Sequence, residues 1–204
     1  APYLDPASDT GFSNTDKITK ERWPAFIGTT EDDATVYLYH SDAGTTPVGT
    51  AYTSNGYFSV TSSALTNGPY TFTVKAVDPA GNESDASPGI VVMIDTTRPI
   101  APSAPDLDPA SDTGSSNTDD FTMSTTPTFT GTVEIDASVT LYKNGTQVGT
   151  ATANGSGGYS ITSSALTTGT YAFTVRQTDV AGNGSDASAS LFVTIDSPPP
   201  AQPG

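Results

Sequence analysis

The sequence predicts an all-β chain built as two tandem antiparallel sandwiches, and three observations predict it. The first is composition. The 204 residues include 16 prolines, 19 glycines and no cysteine, with only 34% apolar and 14% charged residues. Ser, Thr, Asn, Gly and Pro fill the balance, which suits a turn-rich β protein. A helical bundle would need Leu, Ala, Glu and Lys in quantity. The nine Tyr and eight Phe argue against a disordered chain, which would be poor in aromatics. The second observation is duplication: LDPASDTG occurs at Leu4–Gly11 and again at Leu107–Gly114, 103 residues on. A period that long is domain-sized, so the copies are beads in series and not a stacked solenoid. The third is a period-two alternation of polar and apolar residues.

In chain order, each copy opens with a turn-rich stretch before its first long strand, DPASDTGFSNTD and DPASDTGSSNTDD. The set Pro24, Phe26, Gly28 then recurs as Pro127, Phe129, Gly131. Thr35-Val36-Tyr37-Leu38-Tyr39 and Ser138-Val139-Thr140-Leu141-Tyr142 alternate as strands with one buried face. In the second copy Asn144-Gly145 makes a tight hairpin. In the first, a three-residue insertion near His40–Thr46 opens that turn. VGTA at Val48 and Val148, then TSSALT at Thr61 and Thr162, lead to Pro69–Val74 and Thr170–Val175, again alternating. The DxAGN turns at Asp78 and Asp179 and the Ile94-Asp95 and Ile195-Asp196 pairs close the copies. Six or seven short strands in about 95 residues with one apolar face predict an immunoglobulin-like sandwich. Phe129, Val139, Leu141, Val148, Ile161, Leu166, Tyr171, Phe173, Val175 and Ile195 are its expected core. The fold class is thus two immunoglobulin-like β-sandwich domains, residues 1–97 and 98–204. Thr96–Pro105 joins them as a short, stiff Pro-rich linker. Ala1-Pro2 and the closing IDSPPPAQPG sit in the same phase as linker residues, so the chain reads as an excerpt of a longer array.

Charge excludes whole classes of partner. Seven basic against 22 acidic residues give −15, which repels nucleic acid and anionic membranes. No run approaches the ~20 apolar residues of a membrane span, and Ala1–Thr10 is no signal peptide. Without cysteine there are no disulfides and no thiolate chemistry. His40 is the only histidine and is placed in the inserted hairpin, away from any acid it would need for a triad. No phosphate loop or dinucleotide fingerprint occurs. The chain is expected not to be an enzyme.

Eighteen of the 22 acids are Asp. A short carboxylate is favoured where it folds back on its own turn, or where it binds a hard cation. Asp5, Asp9 and Asp16 repeat at the same spacing as Asp108, Asp112 and Asp119, and both explanations stay open for them. A second set follows from topology. One pole of the second sandwich should collect Asp106, Glu134, Asp136, Asp179, Asn183 and Asp186, with Asp95 arriving through the linker. The first copy has Glu31, Asp33, Asp78, Asn82 and Asp85 at the equivalent places. Converging carboxylates repel unless protonated or bridged by a cation. Trp23, where the other copy has Thr126, is a possible end cap or sugar platform, and Lys17, Lys75 and Lys143 show no isopeptide setting.

Taken in order, LDPASDTGSSNTDDFT, TPTFTGTVEIDASVTLYKNG, VGTATA, GYSIT and ALTTGTYAFTVRQTDVAGNGS resemble the bacterial Ig-like repeats of giant repeats-in-toxin type adhesins. The resemblance spans essentially both copies. It implies an extracellular, cell-surface stalk, exported by the type I route, that projects an adhesive tip and supports adhesion and biofilm formation. It also implies Ca2+ as the bound ion, stiffening the array through Asp5, Asp9, Asp16, Asp95, Asp108, Asp112, Asp119, Glu134, Asp136 and Asp179. The implied partners are neighbouring repeats of the same chain, with a monomeric state and host or surface ligands left to other parts of the parent. The competing expectation is a module that itself grips a sugar or surface protein, at Trp23 or the His40 hairpin of the divergent first copy. A third is the accessory domain of a carbohydrate-active enzyme.

Overall fold

The computed structural model describes residues 1–197. The closing proline-rich stretch, read above as a second linker, lies from residue 198 on outside the described residues. Two compact units are present, one of residues 1–97 with 180–183, the other of residues 98–179 and those from 184. All regular structure among the described residues is β.

The first unit contains β1 (Tyr3–Leu4), β2 (Ile18–Thr19), β3 (Ala25–Thr29), β4 (Thr35–His40), β5 (Gly49–Tyr52), β6 (Tyr57–Thr61), β7 (Gly68–Val77) and β8 (Ile90–Ile94). A three-stranded sheet β1-β3-β6 faces a five-stranded sheet β2-β8-β7-β4-β5. The second unit repeats this with β9 (Asp106–Leu107), β10 (Phe121–Thr122), β11 (Thr128–Thr132), β12 (Ser138–Lys143), β13 (Thr146–Thr152), β14 (Gly158–Thr162), β15 (Gly169–Thr178) and β16 (Leu191–Ile195). Its sheets run β9-β11-β14 and β10-β16-β15-β12-β13. Each copy therefore has eight strands, where six or seven were expected. The extra ones are two-residue strands, too short to carry an alternation in the sequence. One pairing per copy departs from the antiparallel expectation: β2 runs parallel to β8, and β10 to β16. The chain leaves β1 on one sheet, crosses the sandwich edge through the Asp-rich loop and joins the other sheet beside its last strand. That crossover makes the two run in the same direction.

The period-two pattern is realised as burial. Val36 and Leu38 on β4 and Phe58 and Val60 on β6 point inward, and their neighbours point out. In each core two phenylalanines meet across the sheets, Phe26 on Phe72 at 4.3 Å and Phe129 on Phe173 at 4.4 Å between centroids. All four are fully buried, each contributing about 1.5–3 kcal/mol by leaving water. The expected second-copy core is present, with Leu107, Tyr159 and Val193 added, while Val148 and Tyr171 pack against it only partly buried.

Two local expectations meet the structure differently. Asn144 and Gly145 take φ of 47° and 82°, the two left-handed residues that a type I′ hairpin requires. His40, however, is the last residue of β4 and not part of the inserted loop. Its ring packs edge-on against Tyr70 at 5.0 Å. By strand register it also has a counterpart: His40 pairs with Phe72 as Lys143 pairs with Phe173. Lys143 lies over the Tyr171 ring at 4.7 Å, so both copies cap that tyrosine with a nitrogen-bearing side chain.

Each end of the linker is fastened to its own unit. In the first, Asn67 accepts from Thr96 N and Thr96 Oγ1 through Oδ1 and donates through Nδ2 to Asp95 Oδ1 and Thr97 Oγ1. In the second, Arg98 Nε donates to Gly184 O, and buried Gln177 donates through Nε2 to Ile100 O.

Candidate functional site

The loop from β1 to β2 is built by its own carboxylates. Asp5 accepts from Ala7 N at 2.9 Å and its carbonyl receives Ser8 N and Asp9 N, winding one tight turn. Ser8 Oγ then accepts from Ala25 N, tying the turn to β3. Thr19, fully buried on β2, donates from Oγ1 to Ser8 O at 2.6 Å and closes the loop from the opposite sheet. Asp16 accepts from Ile18 N. The second copy repeats each bond: Asp108 from Ala110 N, Ser111 Oγ from Thr128 N, Thr122 Oγ1 to Ser111 O, and Asp119 from Phe121 N.

At the centre of each loop lies one buried carboxylate. Asp9 and Asp112 are each only 5% exposed. In both, Oδ2 accepts a backbone N–H, from Lys17 at 3.1 Å and from Asp120 at 3.3 Å. In both, Oδ1 is buried without a hydrogen-bond partner. Burial pushes the Asp9 carboxyl above the usual range, with Asp16 adding repulsion against the lowering effect of Lys17. Asp120 is likewise raised, by burial first and then by Asp112, Asp106 and Asp119.

A calcium ion suits this donor chemistry. A buried carboxylate oxygen without a donor is costly, and a hard cation would satisfy it together with carbonyl, hydroxyl and water oxygens. Among the described residues, no group of three or more His, Cys, Asp or Glu side chains converges as a ready-made metal cage. The orphaned oxygens, and not a carboxylate cluster, therefore mark the loops as the place where an ion fits.

Each of the remaining expected ligands has its own setting. Asp78 is engaged in its own turn. Asn82 binds its carboxylate with Nδ2 and N, both at 2.8 Å, and holds the carboxyl below the ordinary range. Gly81 and Gly182 adopt the expected positive φ, 90° and 95°. Asp95 Oδ1 accepts from Thr97 N and Asn67 Nδ2 at the linker root. Asp33 and Asp136 occupy left-handed turn positions at φ of 57° and 58°. Glu31 contributes its carbonyl to Thr53 Oγ1, and Glu134 its N–H to Gln177 Oε1. Asp106 is exposed on β9, and Asp179 is buried just after β15. Residues not singled out from sequence are Asp120, Thr19 and Thr122, and Lys17 was weighed there only for an isopeptide crosslink. The legible signal was the pair Asp119-Asp120 standing where the first copy has Asp16-Lys17.

The surfaces of the two units differ. Tyr3, Phe12, Trp23, Tyr52 and Tyr57 are all more than half exposed. Their counterparts in the second copy are Asp106, Ser115, Thr126, Thr152 and Gly158. Beside the first loop, Tyr3, Pro6, Ile27 and Ile90 line a cleft of about 350 Å³.

The family model for the bacterial Ig-like domain matches residues 1–96 and again 99–197. The chain belongs to the bacterial Ig-like domain family. This bacterial Ig-like pair is 36% identical over 170 residues to Exoglucanase B of Cellulomonas fimi, covering 81% of the chain. It is also 36% identical over 162 residues to Chitinase A1 of Niallia circulans, covering 75% of the chain. It spans only 14% and 20% of the length of those two relatives. Among solved structures it is similar to the fibronectin(III)-like modules of Clostridium thermocellum CbhA, 17% identical over 87% of each chain with a TM-score of 0.51. That likeness concerns the fold alone.

Proposed function

We propose that the chain is a pair of non-catalytic extender repeats from a large bacterial surface adhesin, stiffened outside the cell by calcium bound in the Asp loops. The observation that carries this reading is the buried, unpartnered Oδ1 of Asp9 and of Asp112, at the same place in each copy. A spacer needs a fold that repeats without a unique site, and it gains from an ion that is scarce in the cytoplasm and abundant outside. Calcium then orders the chain after export and adds RT ln(1 + [Ca]/Kd) to its stability. At the ~10⁻⁴ to 10⁻³ M affinities of extracellular modules, millimolar calcium contributes roughly 0.5–1.5 kcal/mol per site. The tied linker ends at Asn67 and at Arg98 and Gln177 suit a stalk more than a flexible tether. Type I export and a role in biofilm formation belong to the same proposal.

The test is a thermal melt of the full chain in millimolar calcium, in EGTA and in magnesium. A calcium-specific rise of several degrees supports the reading, and Asp112→Asn should remove most of the second unit's share. Superimposable melts would reduce the loop aspartates to turn formers.

A second reading is favoured by the aromatic surface of the first unit and by the two glycosidase relatives. In it, the first domain touches polysaccharide, either in an adhesin or beside a catalytic domain of a secreted glycosidase. Trp23, with Arg22 stacked over it at 5.5 Å, is then a contact residue. Binding to a panel of neutral glycans that is lost in Trp23→Ala would support this, and no binding by the wild type would end it.

A further inference from the structure

The outer face of the three-stranded sheet carries aromatic rings in the first copy and none in the second. Leu4, Phe26 and Phe58 are buried in the core, so Tyr3, Ile27 and Tyr57 point outward. Tyr3 pairs with Ile27, and Tyr57 with Thr29. The same alternation continues ahead of β3, where Pro24 is buried and Trp23 is exposed. Trp23, Tyr3 and Tyr57 are 54%, 69% and 68% exposed. At these places the second copy has Thr126, Asp106 and Gly158, on a sheet of the same register. The fold itself therefore does not require the rings.

We propose that this face is a binding track for a neutral polysaccharide, laid along β3 and held in turn by Trp23, Tyr3 and Tyr57. This rests on the polysaccharide reading above and adds where the sugar chain lies and that several of its units are read at once. From Trp23 to Thr29, the partner of Tyr57, the extended backbone covers about 20 Å at ~3.3 Å per residue. No single sugar ring spans that distance, and Tyr3 stands between its ends. Tyr and Trp offer an apolar ring face to the C–H groups of a sugar and a polar edge to its hydroxyls. Between the rings the face carries Thr29, Ser59 and Thr61, hydroxyls suited to a hydrated ligand. The apolar interface core of a protein partner would meet a patch broken by these groups. Beside Tyr3, Asn14 and Lys17 line the cleft, and their amide and ammonium groups can donate to sugar oxygens. The net charge of −15 repels acidic polysaccharides and leaves the neutral ones. The contacts do not involve the Asp9 carboxylate, so the track is compatible with a calcium-bound loop.

The test is isothermal titration of the full chain, in millimolar calcium, with neutral oligosaccharides of glucose and of N-acetylglucosamine from monosaccharide to hexasaccharide. One series should bind, with affinity rising roughly tenfold or more from disaccharide to hexasaccharide as successive units engage. Tyr3→Ala and Tyr57→Ala should each weaken the hexasaccharide roughly fivefold or more, with the melting point kept. Tyr3→Asp and Tyr57→Gly, which place the residues of the second copy on the same sheet, should weaken it as well. A hexasaccharide that binds no tighter than the disaccharide, or one lost in Trp23→Ala but untouched by the tyrosine variants, would overturn the track and leave the polysaccharide reading standing. No binding of either series by the wild type would overturn both.

Discussion

At the scale of single residues, the buried carboxylates control how the domains respond to pH. The folded state raises the Asp9 carboxyl above its ordinary value of 3.8, chiefly through burial. A raised acid binds protons more readily in the folded than in the unfolded chain. Its cost is therefore fully present above the folded pKa and is relieved as pH falls toward 3.8. In EGTA at pH 7, Asp9→Asn should melt a few degrees above the wild type, and the two curves should converge as the pH approaches 4. Unchanged separation across that range would refute the assignment. Tyr159 offers a separate test. Its hydroxyl is buried without a partner and its pKa is pushed up to about 12 by burial, with Asp106 adding to it. The first copy has Phe58 at that place. Tyr159→Phe should stabilise the second domain by about 1 kcal/mol, read by denaturant unfolding.

At the scale of elements, the three-stranded sheets depend on one glycine each. A Cβ on Gly28 would come within 2.6 Å of Phe58 Cζ, and one on Gly131 within 2.5 Å of Tyr159 Oη. The missing side chain is what lets the ring of the paired strand lie flat across β3 or β11. Gly131→Ala should cost about 1–3 kcal/mol by overpacking, measurable as a lower denaturation midpoint. Gly145, in the hairpin turn, would tell the two glycine roles apart, because its φ of 82° is left-handed and a Cβ there would meet nothing within 4 Å. The linker root is an element-scale feature as well. Asn67→Ala removes the four side-chain bonds that hold residues 95–97. Faster amide exchange at Thr96 and Thr97, with the core strands unaffected, is the expected outcome.

At the scale of the whole molecule, each unit has its own core, one around Phe26 and Phe72 and one around Phe129 and Phe173. Residues 1–97 and 98–204 expressed separately should each unfold cooperatively. Failure of either half to fold alone would show that its core is insufficient. The net charge of −15 adds a general term. Self-repulsion destabilises the compact state, so added NaCl should raise both melting points modestly in EGTA. Calcium at far lower concentration should act only where an ion site exists. Comparing the two salts separates screening from binding.

The all-β class and the two tandem copies rest on features that are local in sequence or repeated verbatim: alternation in Val36–Tyr39, the Asn144-Gly145 turn, and LDPASDTG written twice. Such features are legible because strand period and turn chemistry act over a few residues. The fate of each aspartate was not legible, because it depends on what the other sheet places over it. Asp5 and Asp9 are four residues apart in one turn, yet only Asp9 is covered, by a loop that Thr19 closes from the opposite sheet. His40 moved from a loop to a strand end for a similar reason, since pairing with Phe72 decides where β4 stops. The sequence by itself determined two sandwiches of one family, joined in series and strongly acidic. Only the tertiary structure decided which carboxylate in each is buried without a partner. Burial is a property of the packed sheets and not of the residues around it in the chain.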